Sequence, residues 1–354
     1  MGSIAMTLMI YGAYGYTGEL IAREALQRGL HPILAGRDPA RLEPLARELK
    51  LAMRAFPVEA AHHHMQHVTT LLNCAGPFSQ TAIPLLTSCL ANRAHYVDIT
   101  GEIPVFAHAH RLDSQARNAG IIFCPGAGFD VVPTDCLAAT LAAQKPDAVS
   151  LNLAFSFGTK PSIGTVKTAI EGFKQGGLIR QNHALKSVPD GYRRRYIPFS
   201  HGKAWAATVP FGDVYTAGVS TNIPNIMIYA ATPRVAGVMM RMMNPLRPLL
   251  AKTFVQKSLT RLAARAFIGG PDSQARTEQR TSFWGEVIDA AGHRLALSFT
   301  APNVYALTVD TALEIATYCS SPTGKAGFYT PSMLMGAGFI LGRPGVTPMV
   351  QAPL

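Results

Sequence analysis

The chain has 354 residues, of which 48% are hydrophobic and 15% are charged. This composition excludes a disordered protein, and a chain of this length buries a large core and divides into about two domains. The formal net charge of +11 attracts an anionic cofactor, an acidic substrate, nucleic acid or an anionic membrane surface. The basic residues are mostly scattered, apart from Arg193, Arg194 and Arg195, and no nucleic-acid-binding motif accompanies them. We therefore expect no nucleic-acid partner.

The cysteines and the apolar segments indicate the cellular compartment of the protein. The cysteines are odd in number and lack Cys-x-x-Cys spacing, which favours a reducing compartment and argues against a disulfide framework or a zinc site. No basic region precedes an apolar stretch at the N-terminus, as it would in a signal peptide. The apolar segments 223–231 and 332–342 are shorter than the roughly 20 residues that span a bilayer. These observations predict a cytoplasmic protein. The cysteines are Cys74, Cys89, Cys124, Cys136 and Cys319.

The first predicted strand runs into a glycine turn, TLMIYGAYGYTG over residues 7–18. Gly12 permits a sharp turn at the strand end, Gly15 removes a Cβ where a pyrophosphate approaches, and Gly18 lets the next helix pack on the sheet. The first N–H groups of that helix then face the phosphates. The order of strand, turn and helix predicts a dinucleotide pocket. Its predicted cofactor-binding residues are Gly12, Ala13, Tyr14, Gly15, Tyr16, Thr17 and Gly18.

The end of the second predicted strand, residues 32–36, indicates which dinucleotide binds. An NAD enzyme places Asp or Glu here for the ribose 2′-hydroxyl, whereas this chain has Gly36 and Arg37. An arginine pairs with a 2′-phosphate and stacks on adenine, which favours NADP, with Arg37 as the first contact and Arg41 as the second. Two alternatives stay open: Asp38 reaches a ribose hydroxyl, or Arg37 is simply an exposed charge.

Strands and helices continue to alternate up to about residue 124. Strands are predicted at 68–75, 96–99 and 121–124, with helices at 81–92 and 105–118 between them. This alternation predicts a parallel, doubly wound sheet, in which ligands bind beyond the carboxyl ends of the strands. The loops 76–78, 100–102 and 126–130 therefore border the cofactor crevice. Four residues at the end of the strand predicted at 68–75 are added to the predicted cofactor site: Cys74, Ala75, Gly76 and Pro77.

The sequence texture changes near residue 146. Strand-like segments at 149–157, 225–230, 280–288 and 294–300 and a helical segment at 163–174 predict a mixed sheet with helices on one face. The predicted fold class is thus α/β, a Rossmann-type doubly wound parallel sheet with a second α+β domain carrying a mixed sheet. We place the first domain at 1–145, the second at 146–324, and expect residues 325–354 to pack back on the first.

Residues 235–267 are rich in Met, Leu and Arg and predict one or two helices, interrupted at Pro245 and Pro248. Three roles remain open for this segment. Its apolar residues fill the core, lie on a membrane surface, or line a channel for an apolar ligand.

Five blocks of sequence carry a family resemblance: GAYGYTG at 12–18, AGRDPARL at 35–42, NCAGPF at 73–78, YVDITGE at 96–102 and PGAGFDVVPTD at 125–135. With them the chain resembles the saccharopine dehydrogenase-like oxidoreductases, in particular the branch that includes trans-acting enoyl reductases. Looser similarity continues at 161–165, 269–276 and 327–332, although Ile163 stands where the family has glycine. The resemblance implies an NADP-binding Rossmann domain, a second domain that contacts substrate and forms a homodimer, and hydride transfer to or from a C=N or activated C=C bond.

Hydride transfer also requires a proton donor or acceptor in a dry cavity. Asp98 and Glu102 flank a strand end that faces the predicted crevice, and with Tyr96 they are the predicted catalytic residues. A partly buried carboxylate there has a raised pKa and acts as an acid near neutral pH. The alternative is that Asp98 only orders the turn at Thr100 and Gly101.

Other polar residues have competing roles. Cys74 is either a thiol nucleophile or a structural cysteine, and the absence of an activating base favours the second. Thr134 or Asp135 caps the helix that follows Asp130. Lys160 and Lys167 are candidates for binding an anionic substrate group. The histidines at 62, 63, 64 and 67 suggest a metal, but the segment precedes a buried strand and an exposed helix end is the default interpretation, so we expect no metal site.

The leading interpretation is an NADP-dependent oxidoreductase with a small-molecule substrate that is anionic or carries an apolar tail. Two alternatives are a non-catalytic NADP-binding regulator and a lipid-associated or membrane-associated protein that uses the basic, Met-rich segment.

Overall fold

The structure is a computed structural model, and it describes residues 7–157, 176–242, 244–246, 255 and 279–353. The chain divides into two compact units, one of residues 1–130 and 307–334 and the other of residues 131–306 and 335–354. The expected division at residue 145 lies instead at 130, because the helix at 132–144 packs on a strand of the second unit. The segment that returns to the first unit is 307–334 rather than 325–354.

The strands are, in chain order, β1 Leu8–Tyr11, β2 Ile33–Gly36, β3 Met53–Ala55, β4 Thr70–Asn73, β5 His95–Asp98, β6 Ile122–Cys124, β7 Ala148–Ser156, β8 Gly177–Gln181, β9 Ala184–Val188, β10 Arg194–Phe199, β11 Gly202–Thr208, β12 Asn225–Ala231, β13 Arg280–Asp289, β14 Arg294–Pro302, β15 Gly327–Phe328 and β16 Val350–Gln351.

The α-helices are α1 Tyr16–Gln27, α2 Pro39–Leu49, α3 Phe78–Asn92, α4 Ile103–Arg111, α5 Asp113–Ala119, α6 Val132–Gln144, α7 Asp213–Thr221, α8 Arg234–Met242, α9 Val304–Ser320 and α10 Pro331–Met335. Short 3₁₀ helices lie at Val58–His64, Asn244–Leu246 and Phe339–Gly342.

The first unit contains a seven-stranded sheet in the order β15-β6-β5-β4-β1-β2-β3, with every neighbouring pair parallel. Residues of β1, β2 and β4 are all buried, as expected of strands that are covered on both faces. The chain runs outward from β1 in both directions, so the carboxyl ends of β1 and β4 flank the point where the strand order reverses. The predicted doubly wound parallel sheet is confirmed.

The second unit contains a nine-stranded mixed sheet whose main path is β10-β11-β12-β7-β13-β14-β16. The pair of β12 and β7 is parallel, and the other pairs are antiparallel. The predicted second domain with a mixed sheet is confirmed. Strands β8 to β11 were not predicted, because their apolar stretches are short and are interrupted by charged and polar residues.

One face of the second sheet is covered by α6. A Cβ on Gly285 of β13 would lie 2.7 Å from Leu141 Cδ1 and 2.9 Å from Leu137 Cδ2. The strand therefore carries glycine at this position because two leucines of α6 occupy the space of its side chain. This contact holds α6 close to the sheet.

On the opposite face, β10 crosses over β13 and closes a small apolar core around Trp284, Ile197 and Tyr229. The fully buried Glu286 lies at one end of this core. Its carboxylate forms ion pairs with Arg294 and, at 3.0 Å, with Arg195, and it accepts a hydrogen bond from Asn152 at 3.2 Å. The Arg195 guanidinium also lies 5.0 Å from the centre of the Trp284 ring. Glu286 thus fixes β10 against β13.

Several predicted features lie outside the described residues. They include the helix at 163–174, Lys160, Lys167 and the blocks 161–165 and 269–276. Within 235–267 the structure describes α8 as far as Met242, the turn Asn244–Leu246 and residue 255. Across the described residues, none of the helices has the length and apolar character needed to cross a membrane.

Replacing Glu286 by alanine is expected to lower the free energy of unfolding by about 3 kcal/mol, because two arginines lose the buried charge that they pair with. The measurement is chemical denaturation followed by tryptophan fluorescence, which reports on the adjacent Trp284. The control is Glu43→Ala, which removes an exposed carboxylate paired with Arg47 and is expected to leave the midpoint unchanged. Equal midpoints for wild type and Glu286→Ala would contradict this account.

Candidate functional site at the carboxyl edge of the first sheet

The glycine turn after β1 has the geometry of a phosphate-binding turn. Gly12 has a φ of +83°, and a Cβ there would lie 2.8 Å from Ala75 N. The backbone N–H groups of Gly12 and Ala13 both donate to Ala35 O, at 2.8 and 3.1 Å. Only glycine satisfies both the left-handed φ and the close approach to the loop after β4.

Helix α1 begins directly after this turn, with Gly15 as its N-cap and no side chain as a cap. The first backbone N–H groups of an α-helix have no acceptor within the helix, so its N-terminus attracts phosphate. Gly15 carries no Cβ to block this approach. The turn and the start of α1 therefore bring together the predicted residues from Gly12 to Gly18.

Tyr14 covers the end of β2. A Cβ on Gly36 would lie 2.5 Å from Tyr14 Cε1, so the ring rests directly on the glycine backbone. The Arg41 guanidinium lies over the same ring, 4.6 Å from its centre, which is a cation–π contact. Arg37 is exposed beside them. Asp38 caps α2 by accepting a hydrogen bond from Ala40 N at 3.0 Å, so its carboxylate is engaged in the cap.

The loop after β4 is held by Asn73. Its Oδ1 accepts a hydrogen bond from Ala75 N at 3.0 Å, and its Nδ2 donates to Thr81 Oγ1 at 3.1 Å and to the Tyr96 hydroxyl at 3.2 Å. Thr81 in turn donates to Ala75 O at 2.6 Å. These bonds fix the predicted cofactor residues Ala75, Gly76 and Pro77 next to the glycine turn. Cys74 N donates to Tyr11 O, and burial raises the pKa of its thiol, which agrees with a structural cysteine.

Asp98, at the end of β5, is fully buried and connects three loops. Its Oδ1 accepts hydrogen bonds from Thr100 N at 3.0 Å and from Gly126 N at 2.9 Å, and its Oδ2 accepts one from the Tyr96 hydroxyl at 2.8 Å. Burial raises the pKa of Asp98 to about 6, although these hydrogen bonds oppose the rise. The structure therefore brings Tyr96 and Asp98 together and also shows Asp98 ordering the turn at Thr100.

The Glu102 side chain lies next to the first residue of α3, Phe78, although the two residues are 24 positions apart in the sequence. Its two carboxylate oxygens accept hydrogen bonds from Phe78 N at 2.9 Å and from Ser79 N at 2.7 Å. A carboxylate at a helix N-terminus satisfies backbone donors and is stabilised by the helix dipole. Glu102 is thus the cap of α3, a role that sequence spacing did not reveal.

Asp130 is a further candidate that the sequence placed only in a loop near the crevice. Its carboxylate lies against Gly101, where a Cβ would be 3.1 Å from Oδ2. Burial raises its pKa to about 7, and no hydrogen bond to its side chain is found among the described residues. A carboxyl with a pKa near neutral pH at the carboxyl edge of the sheet is suited to proton transfer.

The contacts of the remaining candidate residues indicate structural roles. The cap of α6 is Val131, whereas Thr134 donates to Asp213 at 2.6 Å and Asp135 accepts from Ser220 at 2.7 Å inside the second unit. His64 stacks on Phe56 at 4.5 Å. No group of three or more potential metal ligands occurs in the part of the chain that the structure describes.

A parallel sheet with a glycine turn at its switch point and arginines after β2 defines the class of Rossmann-type dinucleotide-binding proteins. Residues 8–124 match the sequence model of the saccharopine dehydrogenase NADP-binding domain. Residues 8–124 are therefore similar to the NADP-binding domain of saccharopine dehydrogenases, and NADP is the cofactor for which that domain is named. Both the resemblance found in the sequence and the choice of NADP are confirmed.

Curated relatives agree with this assignment at modest identity. The human saccharopine dehydrogenase-like oxidoreductase is 28% identical, over 51% of this chain and 50% of that protein. The trans-acting enoyl reductase of Mycobacterium ulcerans is 30% identical, over 36% of this chain and 33% of that protein. The chain therefore spans half or less of the length of these relatives.

A solved structure resembles the whole chain in fold. The saccharopine dehydrogenase (L-Glu forming) of Saccharomyces cerevisiae has a TM-score of 0.66 at 9% identity, and the match covers 99% of this chain and 100% of that one. At this identity the likeness concerns the fold alone. It supports the combination of a Rossmann domain with a second domain.

Replacing Arg37 and Arg41 together by alanine is expected to weaken NADPH binding by about tenfold or more and to leave NADH binding nearly unchanged, because charge-assisted bonds to a 2′-phosphate are lost. Titration of each nucleotide by calorimetry measures this. The control is Arg47→Ala in the last turn of α2, where the arginine pairs with Glu43 at 2.7 Å. An equal loss for both nucleotides would contradict a role in 2′-phosphate recognition.

Asp130 also predicts a dependence of stability on pH. Its folded pKa of about 7 exceeds its ordinary value of 3.8, so its favourable contribution is complete below about pH 4 and is lost as the pH rises through about 7. The Asp130→Asn variant should therefore gain stability relative to wild type between pH 5 and pH 8. Chemical denaturation across this range tests the trend, and parallel curves for the two proteins would show that burial of Asp130 has no such effect.

Proposed function

We propose that the chain is an NADP-dependent oxidoreductase that transfers a hydride to or from a C=N or activated C=C bond of a small molecule. The observation that carries this proposal is the Asp130 carboxyl, which lies against Gly101 at the same sheet edge as the glycine turn, accepts no hydrogen bond from the described residues and has a pKa raised by burial to about 7. The NADP-binding domain and the oxidoreductase names of its relatives support the redox class.

The chemistry divides among the residues of this edge. NADPH supplies the hydride when it is bound, and reduction of a C=N or C=C bond then also takes up one proton. We assign that proton to the Asp130 carboxyl, which is half protonated near pH 7. Asp98 and Tyr96 remain predicted members of the catalytic site, and we assign them the positioning of the loops after β5 and β6 through their hydrogen bonds. Glu102 positions the start of α3.

Two names among the similar proteins point to two substrate classes. Saccharopine dehydrogenase is the name of the protein with a similar fold, and enoyl reductase is the name of a sequence relative. We therefore propose imines formed from an aldehyde and an amino acid as one class, and α,β-unsaturated thioesters as the other. The homodimer that the family resemblance implies is a further prediction, which equilibrium sedimentation would test.

The test is NADPH oxidation, followed by absorbance, with a panel of both substrate classes from pH 5 to pH 9. We expect turnover with one class and a rate of reduction that falls as the pH rises through about 7, because Asp130 then loses the proton it donates. Asp130→Asn is expected to lower kcat by about 100-fold or more and to remove this limb of the pH profile, with NADPH affinity unchanged.

Glu59→Gln, which changes an exposed carboxylate of the first unit, is the matched control and should keep the wild-type rate and profile. If NADPH binds and no member of either class oxidises it, the chain is a nucleotide-binding regulator and the proposal fails. If turnover occurs and Asp130→Asn keeps both rate and profile, another group donates the proton.

A further inference from the structure

The hairpin β10–β11 and helix α8 form an exposed surface in the second unit, which we call the hairpin face. Tyr196 of β10 lies opposite Trp205 of β11, with ring centres 4.9 Å apart. Tyr196 is 51% exposed. Because side chains alternate along a strand, Arg194 and Lys203 lie on the same side of the hairpin as this aromatic pair. Both of these cations are exposed.

Among the side chains of helix α8 that the structure describes, Gly237 and Arg234 contact the hairpin face. An ideal Cβ on Gly237 would lie 3.5 Å from Trp205 Nε1 and 3.7 Å from Ala207 Cβ. The Arg234 guanidinium lies over the Trp205 ring, 5.1 Å from its centre. The described contacts of α8 with the hairpin thus come from a small residue and from a cation.

The apolar stripe of α8 points away from the hairpin. Val235 is 71% exposed, Val238 is 42% exposed and Met242 is 72% exposed. Their spacing of three and four residues places them on one side of the helix. The exposed Arg241 borders this stripe. The hairpin face therefore presents aliphatic, aromatic and cationic side chains together.

Charge in this part of the chain is strongly one-sided. Residues 190–242, all of which the structure describes, contain six Lys and Arg and two acidic residues, Asp190 and Asp213, and Asp213 is fully buried. No Asp or Glu occurs in β10, β11 or α8. A surface of this kind is complementary to an extended layer of negative charge.

The kinds of side chain on the hairpin face indicate which anionic partner it fits. Nucleic acid is bound by cations and by stacked aromatic groups, and it offers no apolar layer for Val235, Val238 and Met242. The boundary of an anionic bilayer offers both, since aliphatic side chains enter it, Tyr and Trp lie at the headgroup level, and Lys and Arg pair with phosphates. We propose that the hairpin face binds peripherally to anionic membrane surfaces. This inference is independent of the proposed redox activity.

The first experiment is flotation of the full chain with vesicles of phosphatidylcholine alone, or of phosphatidylcholine and phosphatidylglycerol in equal amounts. At physiological ionic strength we expect binding to the anionic vesicles only. Raising the salt to about 1 M, where the Debye length is about 3 Å, should release most of the protein. Binding to DNA without binding to vesicles would overturn the proposal in favour of a nucleic-acid surface.

Tryptophan fluorescence gives the orientation, because the chain has two tryptophans. Trp205 is part of the hairpin face, and Trp284 is fully buried in the core of the second sheet. Lipids with brominated acyl chains should quench the wild-type emission and should leave the Trp205→Phe variant, which retains Trp284, unquenched. Equal quenching of both proteins would show that another surface meets the bilayer.

Variants at exposed positions test the two contributions without disturbing the core. Val235→Ser combined with Met242→Ser should weaken binding by about tenfold or more through the loss of apolar contact. Arg241→Gln should weaken it about fivefold, the contribution of one cation near an anionic surface. The matched controls, expected to bind as wild type does, are Val350→Ser, at an exposed valine elsewhere in the second unit, and Arg111→Gln in the first unit. Unchanged binding by the α8 variants would overturn the proposal.

Discussion

The buried carboxylate of Asp98 connects the functional edge of the first sheet. It accepts hydrogen bonds from residues of β5, of the loop after β5 and of the loop after β6, while its own backbone carbonyl accepts one from Ala127 N at 2.7 Å. Tyr96 extends the same set of bonds to Asn73 and so to the loop after β4. A carboxylate in an apolar sheet is costly unless it is satisfied in this way. Because burial of Asp98 is stable only when these hydrogen bonds are formed, they hold the three loops in one arrangement.

The sequence predicted a contact at this sheet edge only where the residues in contact lie close together in the sequence. The glycine turn and the arginine after β2 were readable because their chemistry lies within a few neighbouring residues. The same holds for the bond from Thr100 N to Asp98, which was one of the two roles foreseen for that aspartate. The contact of Glu102 with the start of α3 and the contact of Tyr14 with Gly36 were not predicted, because each joins segments that are distant in sequence. Spacing alone carries no information about such contacts.

The second sheet was predicted only in part for a different physical reason. Strands β7, β12, β13 and β14 have apolar alternation that faces a packed layer and were foreseen near their observed positions. The strands of the hairpins β8–β9 and β10–β11 have short apolar stretches mixed with polar residues. Their buried residues, such as Ile197 and Phe199, pack in the core around Trp284, which is distant in sequence. A strand that is stabilised in this way is not predicted by the pattern of its own residues. Likewise, the position of Asp130 beside Gly101 follows from the return of the chain after β6 and not from its neighbours in sequence.

The two units also differ in charge, which bears on how the cofactor is attracted. Residues 1–130 and 307–334 contain eleven Lys and Arg against twelve Asp and Glu, whereas the second unit contains 21 against nine. The unit that binds the dinucleotide thus has no excess of positive charge. Local groups, namely the N-terminus of α1 and the arginines near Tyr14, must provide the attraction.

The division of the chain into units has a consequence for synthesis on the ribosome. The first sheet ends with β15, which pairs with β6, and the hydroxyl groups of Thr308 and Thr311 bond to Phe129 N and Ala127 O. Strand β15 and these two threonines therefore emerge from the ribosome only after residues 131–306 have been made. Until then β6, which pairs with β5 on one side, is an edge strand whose other side is open to pairing with other chains. The nascent chain must protect its cofactor domain while the whole of the other unit is being added.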